Sequence, residues 1–463
     1  MLDDTIVGIS TAYGGAITLI RMSGIRSLDI LRKVFSWKDE LDPKSHRVYY
    51  GWIKDGKSIK DGESADELAI DEVLVTTMLA PKTFTREDVV EISCHGGGLV
   101  TQKILLLLIR HGARLGMPGE FTKRAFLNGR INLSQAEAVM DIINAKSNLS
   151  HKAAISQLKG RLGVLLDDAC NSLLSILARI EMAIDYPEHE EADIAHNDIA
   201  QKLEDIMAML NGLADTAITG RFVRDGISVA IIGRPNVGKS SLYNALAQDD
   251  RAIVTHIPGT TRDVLREGVK IGDAFLKLAD TAGIRDTDDF VESQGISRSI
   301  DEAAAADLVL FVIDGSMPFD SDDALRLFDA NWQNAIIIIN KCDLPHEFNK
   351  GLLDDVFKGR PIIEISAKAH IGIDALGDAI NKMFLQGHAR YGDDLITNSR
   401  HIALIDAARE SLVSAYDAIE AGVFIDLVAI DISAAYGALG EITGIVINDE
   451  LIDKIFSEFC LGK

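Results

Sequence analysis

The feature that most constrains this chain is a glycine-rich segment, Gly233–Ser240, which reads GRPNVGKS. It fits the pattern G-x-x-x-x-G-K-[ST] without a gap. An apolar run at 227–232 precedes it, and Leu242, Ala245 and Leu246 follow it at helical spacing. The sequence therefore predicts a buried parallel strand, a phosphate-binding loop and a helix in succession. The alternative, a chance glycine-rich loop, does not explain the flanking strand and helix.

A loop of this type binds phosphate through its backbone. Its glycines let N–H groups approach phosphate oxygens, and the N-terminus of the following helix adds a favourable dipole. Lys239 is placed to reach the terminal phosphates, and the hydroxyl of Ser240 is placed to ligate Mg²⁺. The segment therefore predicts a site for a nucleoside triphosphate and its magnesium ion.

Three later motifs, each after a run typical of a buried strand, concern the γ-phosphate and the base. Asp280–Gly283 (DTAG) supplies a carboxylate near the magnesium ion and a glycine N–H for the γ-phosphate. Asn340–Asp343 (NKCD) supplies a carboxylate that can accept both N1–H and N2–H of guanine, a donor pair that adenine lacks. Ser366–Lys368 (SAK) can close over the base. Because open α/β sheets bind ligands at the carboxyl ends of their strands, the four motifs together predict a GTPase domain.

The sequence shows less directly how such a domain would hydrolyse GTP. Ras-type GTPases place a glutamine after the glycine of D-x-x-G, but the residue in this chain is Ile284, whose side chain cannot hydrogen-bond. The segment 255–263 is rich in oxygen ligands, and its Thr261 is expected to provide a second hydroxyl to magnesium. Glu292 lies in an acidic stretch and could position the attacking water. An ordinary solvated carboxylate is an equally good interpretation of Glu292.

Composition disfavours several other classes of protein. The chain of 463 residues suggests about three domains as a prior. The longest purely aliphatic run, at 104–109, is far too short to span a bilayer, and the first residues lack the regions of a signal peptide. Four cysteines are scattered without a C-x-x-C pair, which indicates neither a zinc site nor a disulfide framework and favours a reducing cytosol. The net charge of −23 disfavours direct binding of nucleic acid, so an RNA partner would need a local basic patch or a second protein.

Residues 1–119 are predicted to form an α+β domain. The expected strands and the helix that follows them lie at 5–10, 16–21, 48–53, 72–79, 89–93 and 99–111 respectively. The pair Cys94-His95 comes directly after the last of these strands. Adjacent residues on a strand point to opposite faces, so these two side chains are not expected to form a nucleophile and its base.

The pattern becomes helical after residue 119. A capping box is predicted at Ser134–Glu137, with the serine capping the helix that follows. Helical patterns continue over 158–186, break at Pro187 and resume to about residue 213.

Helical patterns return from residue 399 to the end, with Asn448 opening the last helix. Since the two ends of a domain usually lie close together, helices on both sides of the GTPase domain predict an insertion. The expected domains are an N-terminal domain at 1–119, a helical domain in two parts at 120–225 and 386–463, and the GTPase domain at 226–385 between those parts.

Longer motifs at both ends of the chain and in its middle resemble one family. They are Asp4–Ile6 (DTI), Ile20–Gly24 (IRMSG), Cys94–Gly97 (CHGG), Pro118–Gly129 (PGEFTKRAFLNG), Gln135–Ala138 (QAEA), Gly259–Asp263 (GTTRD) and Cys460–Lys463 (CLGK). Together with the GTPase motifs, they are similar to the tRNA-modification GTPase family called MnmE or TrmE. The resemblance covers nearly the whole chain.

The resemblance implies a fold class and an activity. The fold would be α/β plus α and α+β, with a P-loop GTPase domain inserted into a helical domain and preceded by an α+β, folate-binding-like domain that dimerises. GTP hydrolysis would be activated by potassium and by pairing of the G domains of a homodimer.

The resemblance also implies partners and a substrate. With a flavin-dependent partner of the MnmG/GidA type, in a heterotetramer or larger assembly, such proteins add an aminomethyl-type group (carboxymethylaminomethyl) to C5 of the wobble uridine of certain tRNAs. The one-carbon donor would be 5,10-methylene- or 5-formyl-tetrahydrofolate. The expected setting is cytoplasmic, with no membrane.

Residue roles follow by matching positions to the family's motifs. The folate contacts would be Arg21, Glu91, Arg130 and Lys463, with Arg130 standing where the family usually has lysine. Cys460 fits either a methyl-transfer thiol or a tail packed near the folate, and its role stays open.

In the GTPase domain the catalytic residue would be Glu292, and the magnesium ligands would be Ser240 and Thr261. The potassium ligands would be Asn236, Thr255, the carbonyl of Ile257, and Thr260. The full set predicted to contact GTP is Asn236, Val237, Gly238, Lys239, Ser240, Ser241, Thr255, His256, Ile257, Pro258, Gly259, Thr260, Thr261, Asp280, Thr281, Ala282, Gly283, Asn340, Lys341, Asp343, Ser366, Ala367 and Lys368.

Two other interpretations stay open. A ribosome-assembly GTPase would carry a second G domain or an RNA-binding appendage, and the sequence shows no motif for either. A regulatory switch GTPase would only recruit partners while GTP is bound, so an obligatory need for hydrolysis would exclude it.

Overall fold

The computed structural model describes residues 4–12, 14–36, 43–55, 69–185, 196–248, 268–278, 302–319, 321, 328–329, 332, 334–347, 351–357, 359–385, 395–459 and 462. The chain divides into two compact units. Unit 1 comprises Met1–Met140, Leu158–Asp168 and Gly440–Lys463, and unit 2 comprises Asp141–Gln157 and Ala169–Leu439. Within the described ranges, no helix has both the length and the apolar character needed to cross a membrane.

Unit 1 contains a seven-stranded sheet with two helices against it. The elements are β1 Ile6–Ile9, β2 Ile17–Ser23, α1 Ser27–Val34, β3 Phe35–Ser36, β4 Arg47–Lys54, β5 Ala69–Met78, β6 Val89–His95, α2 Gly98–Arg110 and β7 Arg114–Leu115. The strand order is β3-β4-β5-β6-β2-β1-β7, and the edge pair β1–β7 is the parallel one. The five strands and the helix predicted for this region are all present, within three residues of their predicted bounds.

The alternation of side chains along β5 shows how one face of this sheet is covered. Val73 and Val75 are buried, whereas Leu74 between them is 49% exposed. This is the period of two that a strand imposes on its side chains. On the buried face, α2 contributes Ile104 and Leu108 to the same core. The core of unit 1 therefore lies between the sheet and its helices.

The capping box predicted at Ser134–Glu137 is wrong by two residues. The helix α4 spans Leu133–Asn144, and Asn132 caps it by accepting a hydrogen bond from the N–H of Gln135 at 2.9 Å. Gln135 Oε1 accepts in return from the N–H of Asn132 at 2.9 Å. Ser134 instead donates its hydroxyl to the Asn132 side chain at 3.0 Å. Asn and Gln satisfy the same pair of backbone donors as Ser and Glu, and they start the helix earlier.

A buried arginine in unit 1 is surrounded by carboxylates. Arg124 lies on α3 (Glu120–Leu127) and is fully buried. Its guanidinium donates to Asp4 at 2.6 Å, to Glu87 at 3.1 Å and to Glu120 at 3.1 Å. A charge is tolerated inside a protein only when it is paired and hydrogen-bonded in this way. The network ties the start of the chain to α3 and to the loop before β6.

The helical segments after α4 are more interrupted than predicted. They are α5 Asn148–Leu158, α6 Arg161–Asp185, α7 His196–Ala214 and α8 Ala217–Asp225. The pattern predicted as continuous over 158–186 is a helix only from Arg161, because Gly160, with φ +83°, ends the preceding helix. Pro187, predicted as a break, lies outside the described residues.

Unit 2 contains a six-stranded sheet. Its strands, and the helix that follows the first of them, are β8 Ile227–Ile232, α9 Lys239–Gln248, β9 Gly268–Ile271, β10 Ala274–Leu278, β11 Leu308–Asp314, β12 Ala335–Asn340 and β13 Ile362–Glu364. The order is β13-β12-β11-β8-β10-β9, and the pair β9–β10 is the antiparallel one. All six positions of β12 are buried, as expected for a parallel strand covered on both faces. Parallel pairing brings the carboxyl ends of β8, β11 and β12 to the same edge.

The remaining helices are α10 Gly351–Phe357, α11 Ile373–Phe384, α12 Ser399–Glu420, α13 Ile425–Thr443 and α14 Asp449–Ser457. Asn448, predicted to open the last of them, caps α14 by accepting from the N–H of Leu451 at 2.8 Å. That prediction is confirmed. Asn398 caps α12 in the same manner, accepting from the N–H of Arg400 at 2.9 Å.

Candidate nucleotide-binding site

The glycine-rich loop joins β8 to α9, in the context that its sequence pattern requires. At Gly233 an added Cβ would lie 2.3 Å from the carbonyl oxygen of Val312. At Gly238 the backbone has φ +97°, and an added Cβ would lie 2.1 Å from Nδ2 of Asn340. Neither position has room for a side chain, so the loop follows its path because two of its residues are glycine.

Lys239 begins α9, and its ammonium is directed into the loop. Nζ donates to the carbonyl oxygens of Gly233 at 2.8 Å and Arg234 at 2.7 Å. Burial lowers the pKa of Lys239 below its ordinary value. A phosphate is a stronger partner for an ammonium than two neutral carbonyls are, so this side chain is well placed to turn towards one.

Ser240 and Ser241 follow in the first turn of α9, and both are exposed. Their hydroxyls and the free N–H groups of this turn form a surface suited to phosphate oxygens. A hydroxyl oxygen is also a ligand that Mg²⁺ accepts, so Ser240 is the described residue that fits the predicted magnesium site.

Asn340 connects motifs that are far apart in sequence. It ends β12, is 2% exposed, and donates Nδ2 to the carbonyl of Val237 at 2.8 Å. Its Oδ1 accepts from the N–H of Ala367 at 3.1 Å. One side-chain amide therefore holds the phosphate loop and the SAK segment against the NKCD segment. Asn340 therefore braces the site, a role that its place in the motif did not reveal.

Asp314, the last residue of β11, was missed by the sequence analysis. Its carboxylate accepts from Nζ of Lys341 at 2.5 Å and from the hydroxyl of Ser316 at 2.7 Å. Burial alone would raise the pKa of Asp314, but the hydrogen bonds from Lys341 and Ser316 bring that pKa below its ordinary value. Lys341 also donates to the carbonyl of Asn236 at 3.3 Å. A single aspartate closing an apolar strand was the signal that could have identified it.

Asp343, predicted to read guanine, is exposed on the loop after β12. A hydrogen bond from the Ser366 side chain, with the nearby charges of Lys368 and Lys341, lowers the pKa of Asp343 below its ordinary value. Ser366 is fully buried, and its hydroxyl oxygen also accepts from the N–H of Ala369 at 3.1 Å. The result is an ionised carboxylate with accessible oxygens, which can accept two N–H donors at once.

Part of the predicted set lies outside the described residues. Those of the GTP and metal sites that lie outside the described residues are Thr255, His256, Ile257, Pro258, Gly259, Thr260, Thr261, Asp280, Thr281, Ala282, Gly283 and Glu292. Lys463 and Cys460 lie outside them too. Gly462 is described, and its carbonyl accepts from the hydroxyl of Ser10 at 3.0 Å.

In unit 1, two of the four residues predicted to bind folate lie against one aromatic ring, and a third is paired with one of those two. Arg21 and Glu91 face each other on β2 and β6, with Nη2 of the arginine 2.7 Å from Oε1 of the glutamate. Cζ of Arg21 lies 5.8 Å from the centre of the Phe84 ring, and Cζ of Arg130 lies 4.8 Å from it. Burial, followed by the charge of Arg86, lowers the pKa of Arg130. Two guanidinium groups, a carboxylate and a ring suit a flat polar ligand that carries carboxylates.

The Cys94-His95 pair was predicted not to form a catalytic dyad, and the structure agrees. Cys94 is 3% exposed and donates Sγ–H to the carbonyl of Thr18 at 3.4 Å. Burial and the charge of Asp71 raise the pKa of the Cys94 thiol, which makes it a poor nucleophile. His95 is on the other face, with Nδ1 2.7 Å from the Asp71 carboxylate.

Solved structures and two family models match parts of the chain. The G domain of the FeoB iron transporter of T. maritima is 25% identical and covers 35% of this chain and 99% of that one, but its TM-score of 0.26 is too low to add to the assignment. The family model described as the GTP-binding protein TrmE N-terminus matches residues 5–130. The model described as the MnmE helical domain matches residues 133–460.

Full-length relatives agree with the two family models. The protein named tRNA modification GTPase MnmE from Geobacillus kaustophilus (strain HTA426) is 45% identical over 466 residues, which cover 99% of each chain. The protein of the same name from Streptococcus thermophilus (strain CNRZ 1066) is 47% identical over 464 residues, which cover 99% of this chain and 98% of that one. The chain therefore belongs to the MnmE family of tRNA modification GTPases.

Proposed function

We propose that this chain binds and hydrolyses GTP as part of an enzyme that modifies tRNA. The observation that carries the proposal is that the Asn340 side chain donates to the carbonyl of Val237 and accepts from the N–H of Ala367, which holds the phosphate loop beside the base-reading segment. A loop for phosphates and an ionised carboxylate for guanine are the two halves of a GTP site. The role in tRNA modification is carried over from the names of the full-length relatives.

In this proposal each described residue of the site has a task. The loop at 233–240 would hold the phosphates through its N–H groups, and Lys239 would turn to the terminal phosphates. Asp343 would accept N1–H and N2–H of guanine, and Ser366 would keep its carboxylate in place. Ser240, with Thr261, would hold magnesium, which when bound neutralises charge on the phosphates.

Hydrolysis would use a potassium ion and Glu292 instead of a glutamine. The proposed potassium ligands are the Asn236 side chain and oxygens of Thr255, Ile257 and Thr260. When bound, the cation supplies positive charge where negative charge builds between the β- and γ-phosphates. In support, the carbonyl of Asn236 is held by Lys341, and Ile284 cannot orient a water.

A salt comparison tests the potassium proposal. GTP turnover should be strong in KCl and weak in NaCl at equal ionic strength, and Asn236→Ala should remove the difference. Glu292→Ala should keep potassium-dependent pairing of G domains and lose turnover. Equal rates in the two salts for the unmodified protein would contradict the proposal.

The one-carbon chemistry would lie in the N-terminal domain. We propose that Arg21, Arg130 and Lys463 bind polar or carboxylate parts of a 5,10-methylene- or 5-formyl-tetrahydrofolate, and that Glu91 accepts the pterin N–H groups. The position of Arg21 and Arg130 against the Phe84 ring, and the pairing of Arg21 with Glu91, support this. Calorimetry with 5-formyltetrahydrofolate should show binding that Glu91→Ala abolishes while GTP affinity stays the same. Absence of folate binding by the unmodified protein would refute this part.

The assembly completes the proposal. The chain would act in the cytoplasm as a homodimer, with a flavin-dependent partner, to place a carboxymethylaminomethyl group on C5 of the wobble uridine. Its domains would be 1–119 for folate and dimerisation, 226–385 for GTP, and 120–225 with 386–463 for the helical domain.

The experiment that tests the whole function is complementation of a strain that lacks this chain, with mass spectrometry of its wobble nucleosides. The unmodified chain should restore the modified uridine, and Asp343→Asn should not. In vitro, Asp343→Asn should weaken GTP binding by roughly 30-fold or more, because one charged acceptor for two donors is lost, and should improve binding of xanthosine triphosphate. Asp355→Asn, on the exposed side of α10, is the matched control and should behave like the unmodified chain. Unchanged wobble nucleosides in the deletion strain would overturn the proposed function.

A further inference from the structure

A cleft of about 380 Å³ lies in unit 2 beside β10, away from the glycine-rich loop. Its charged lining residues come from α4, the segment after α4, α8 and β10: Asp141, Lys146, Arg224, Asp225 and Lys277. Thr397, two residues before α12, and Ser399, its first residue, also line the cleft. None of these residues has a task in the proposed GTP or folate sites.

The walls of the cleft are held by a common hydrophobic core. Leu149 of α5, Val223 of α8 and Leu276 of β10 belong to one buried cluster. The segment before α12 is fixed as well, because the N–H of Ile396 donates to Oγ1 of Thr216 at 3.1 Å. Because these elements pack tightly against one another, the charged side chains that line the cleft are held at fixed distances from one another.

Positive charge exceeds negative charge in the cleft. Arg224 and Asp141 form an ion pair, with Nε 3.0 Å from Oδ1, and so offset each other. This leaves Lys146 and Lys277 against the single carboxylate of Asp225. Within the described part of the chain, neither lysine forms an ion pair. This local excess of positive charge contrasts with the net charge of the whole chain, which is −23.

The environment of Lys146 disfavours its positive charge. Its Nζ lies 4.8 Å from the centre of the Phe275 ring, although the residue as a whole is exposed. Partial loss of water and then the positive charge of Lys277 lower the pKa of Lys146, and Asp225 only partly opposes them. An anion between the two lysines would remove this repulsion.

We propose that this cationic cleft binds a phosphate group, held by Lys146 and Lys277, from either inorganic phosphate or a phosphodiester of RNA. Ammonium groups are compact charges that suit phosphate, which carries up to two negative charges and accepts hydrogen bonds from several directions. The hydroxyls of Thr397 and Ser399 supply further donors on the cleft wall. The site is separate from the glycine-rich loop and does not depend on the proposed function.

Calorimetry with inorganic phosphate tests the proposal on the full chain, saturated with GDP and Mg²⁺ so that the glycine-rich loop is filled. Phosphate should bind, and Lys146→Met or Lys277→Met should each weaken it by about tenfold or more, because each removes one charged hydrogen bond. Lys152→Met is the matched control, since Lys152 is an exposed lysine of α5 outside the cleft. Thermal melting and GDP affinity show that each variant is folded.

Proton uptake gives a second readout that a general charge effect would not produce. Because a bound phosphate raises the lowered pKa of Lys146, binding at alkaline pH should take up a proton, and Lys146→Met should abolish the uptake. Titrations in two buffers of different ionisation enthalpy measure it.

A second arm uses a fluorescent single-stranded RNA in place of inorganic phosphate. RNA binding that is weakened by Lys277→Met but not by Lys152→Met assigns the phosphate group to a phosphodiester. Absence of binding in both arms, or binding that both cleft variants retain, overturns the proposal.

Discussion

The two sheets of this protein place their polar candidate residues in different ways. In the parallel sheet of unit 2, Asp314 and Asn340 are the last residues of neighbouring strands and are directly paired in register. In the antiparallel sheet of unit 1, Arg21 and Glu91 are paired in the middle of their strands. The parallel strands β11 and β12 are buried on both faces, so their polar groups are confined to their ends. An antiparallel sheet with one free face can carry them along its length.

The difference has consequences for how each candidate site is held. Asn340, at 2% exposure, is braced by backbone groups of two other loops. Arg21 and Glu91 keep 17% and 20% of their side chains exposed and hold each other across two strands. The nucleotide site of unit 2 should therefore fail when one brace is removed, whereas unit 1 should fail when its buried charges lose their partner. Three measurements examine this contrast.

The largest effect is expected in unit 1, from Arg124→Met. Removing the guanidinium takes away the cation paired with Glu87, while Asp4 and Glu120 keep only the more exposed Arg114. The free energy of unfolding should fall by about 3–5 kcal/mol, the usual loss when one member of a buried ion pair is removed. Denaturant unfolding monitored by circular dichroism measures it.

A matched control for Arg124→Met is Arg32→Met, in the exposed pair with Asp29. Its cost should stay within about 1 kcal/mol. GDP affinity of the folded Arg124→Met protein should be unchanged, since the residue belongs to unit 1. A large fall in GDP affinity would contradict the expectation that the buried charges of unit 1 and the nucleotide site of unit 2 are held independently.

The next effect is expected from Asn340→Ala in unit 2. The variant loses two hydrogen bonds and leaves the N–H of Ala367 and the carbonyl of Val237 without their partner. At about 1 kcal/mol or more for each, GTP affinity should fall roughly 30- to 100-fold. Fluorescence titration with a labelled nucleotide measures the loss.

The control for Asn340→Ala lies at the opposite end of the same strand. Asn334 donates Nδ2 to the carbonyl of Asp307 at 3.2 Å, far from the carboxyl edge of the sheet. Asn334→Ala should leave nucleotide affinity unchanged. Equal losses in the two variants would mean that the strand as a whole, and not the brace at its end, holds the site.

The smallest effect is the pH dependence of GDP binding. Burial lowers the pKa of Lys239 in the nucleotide-free protein, and bound phosphate would raise it again. The affinity for GDP should therefore be highest at pH values below the lowered pKa of Lys239. It should fall as the pH rises through that pKa, by less than about tenfold per pH unit, because one proton is involved.

Guanine N1 also loses a proton at alkaline pH, so Lys239→Arg serves as the reference for that slope. Arginine stays charged, and the variant should show only the part due to the base. Identical slopes in the two proteins would show that Lys239 does not titrate with binding.

The elements that sequence patterns predicted well are those in which neighbouring residues decide the structure. The glycine-rich loop lies between the predicted strand and helix, and Asn448 caps the last helix. The capping box of α4 was misplaced because two overlapping patterns, N-x-x-Q and S-x-x-E, compete within six residues. Both patterns are compatible with the start of a helix, and the folded chain forms the first.

The chemistry of the phosphate loop was determined by the sequence itself, because its requirement for glycine at 233 and 238 is local. The contacts that organise the sites were decided only by the tertiary structure. Asn340 meets Val237 across 103 residues of sequence, Arg21 meets Glu91 across 70, and Lys146 approaches Lys277 only when β10 and the helices are packed together. Such pairs depend on strand register and on packing between elements. Strand register and packing between elements produce no recognisable spacing of residues in the sequence. Only the folded chain therefore shows that Asn340 braces two loops and that two lysines line one cleft.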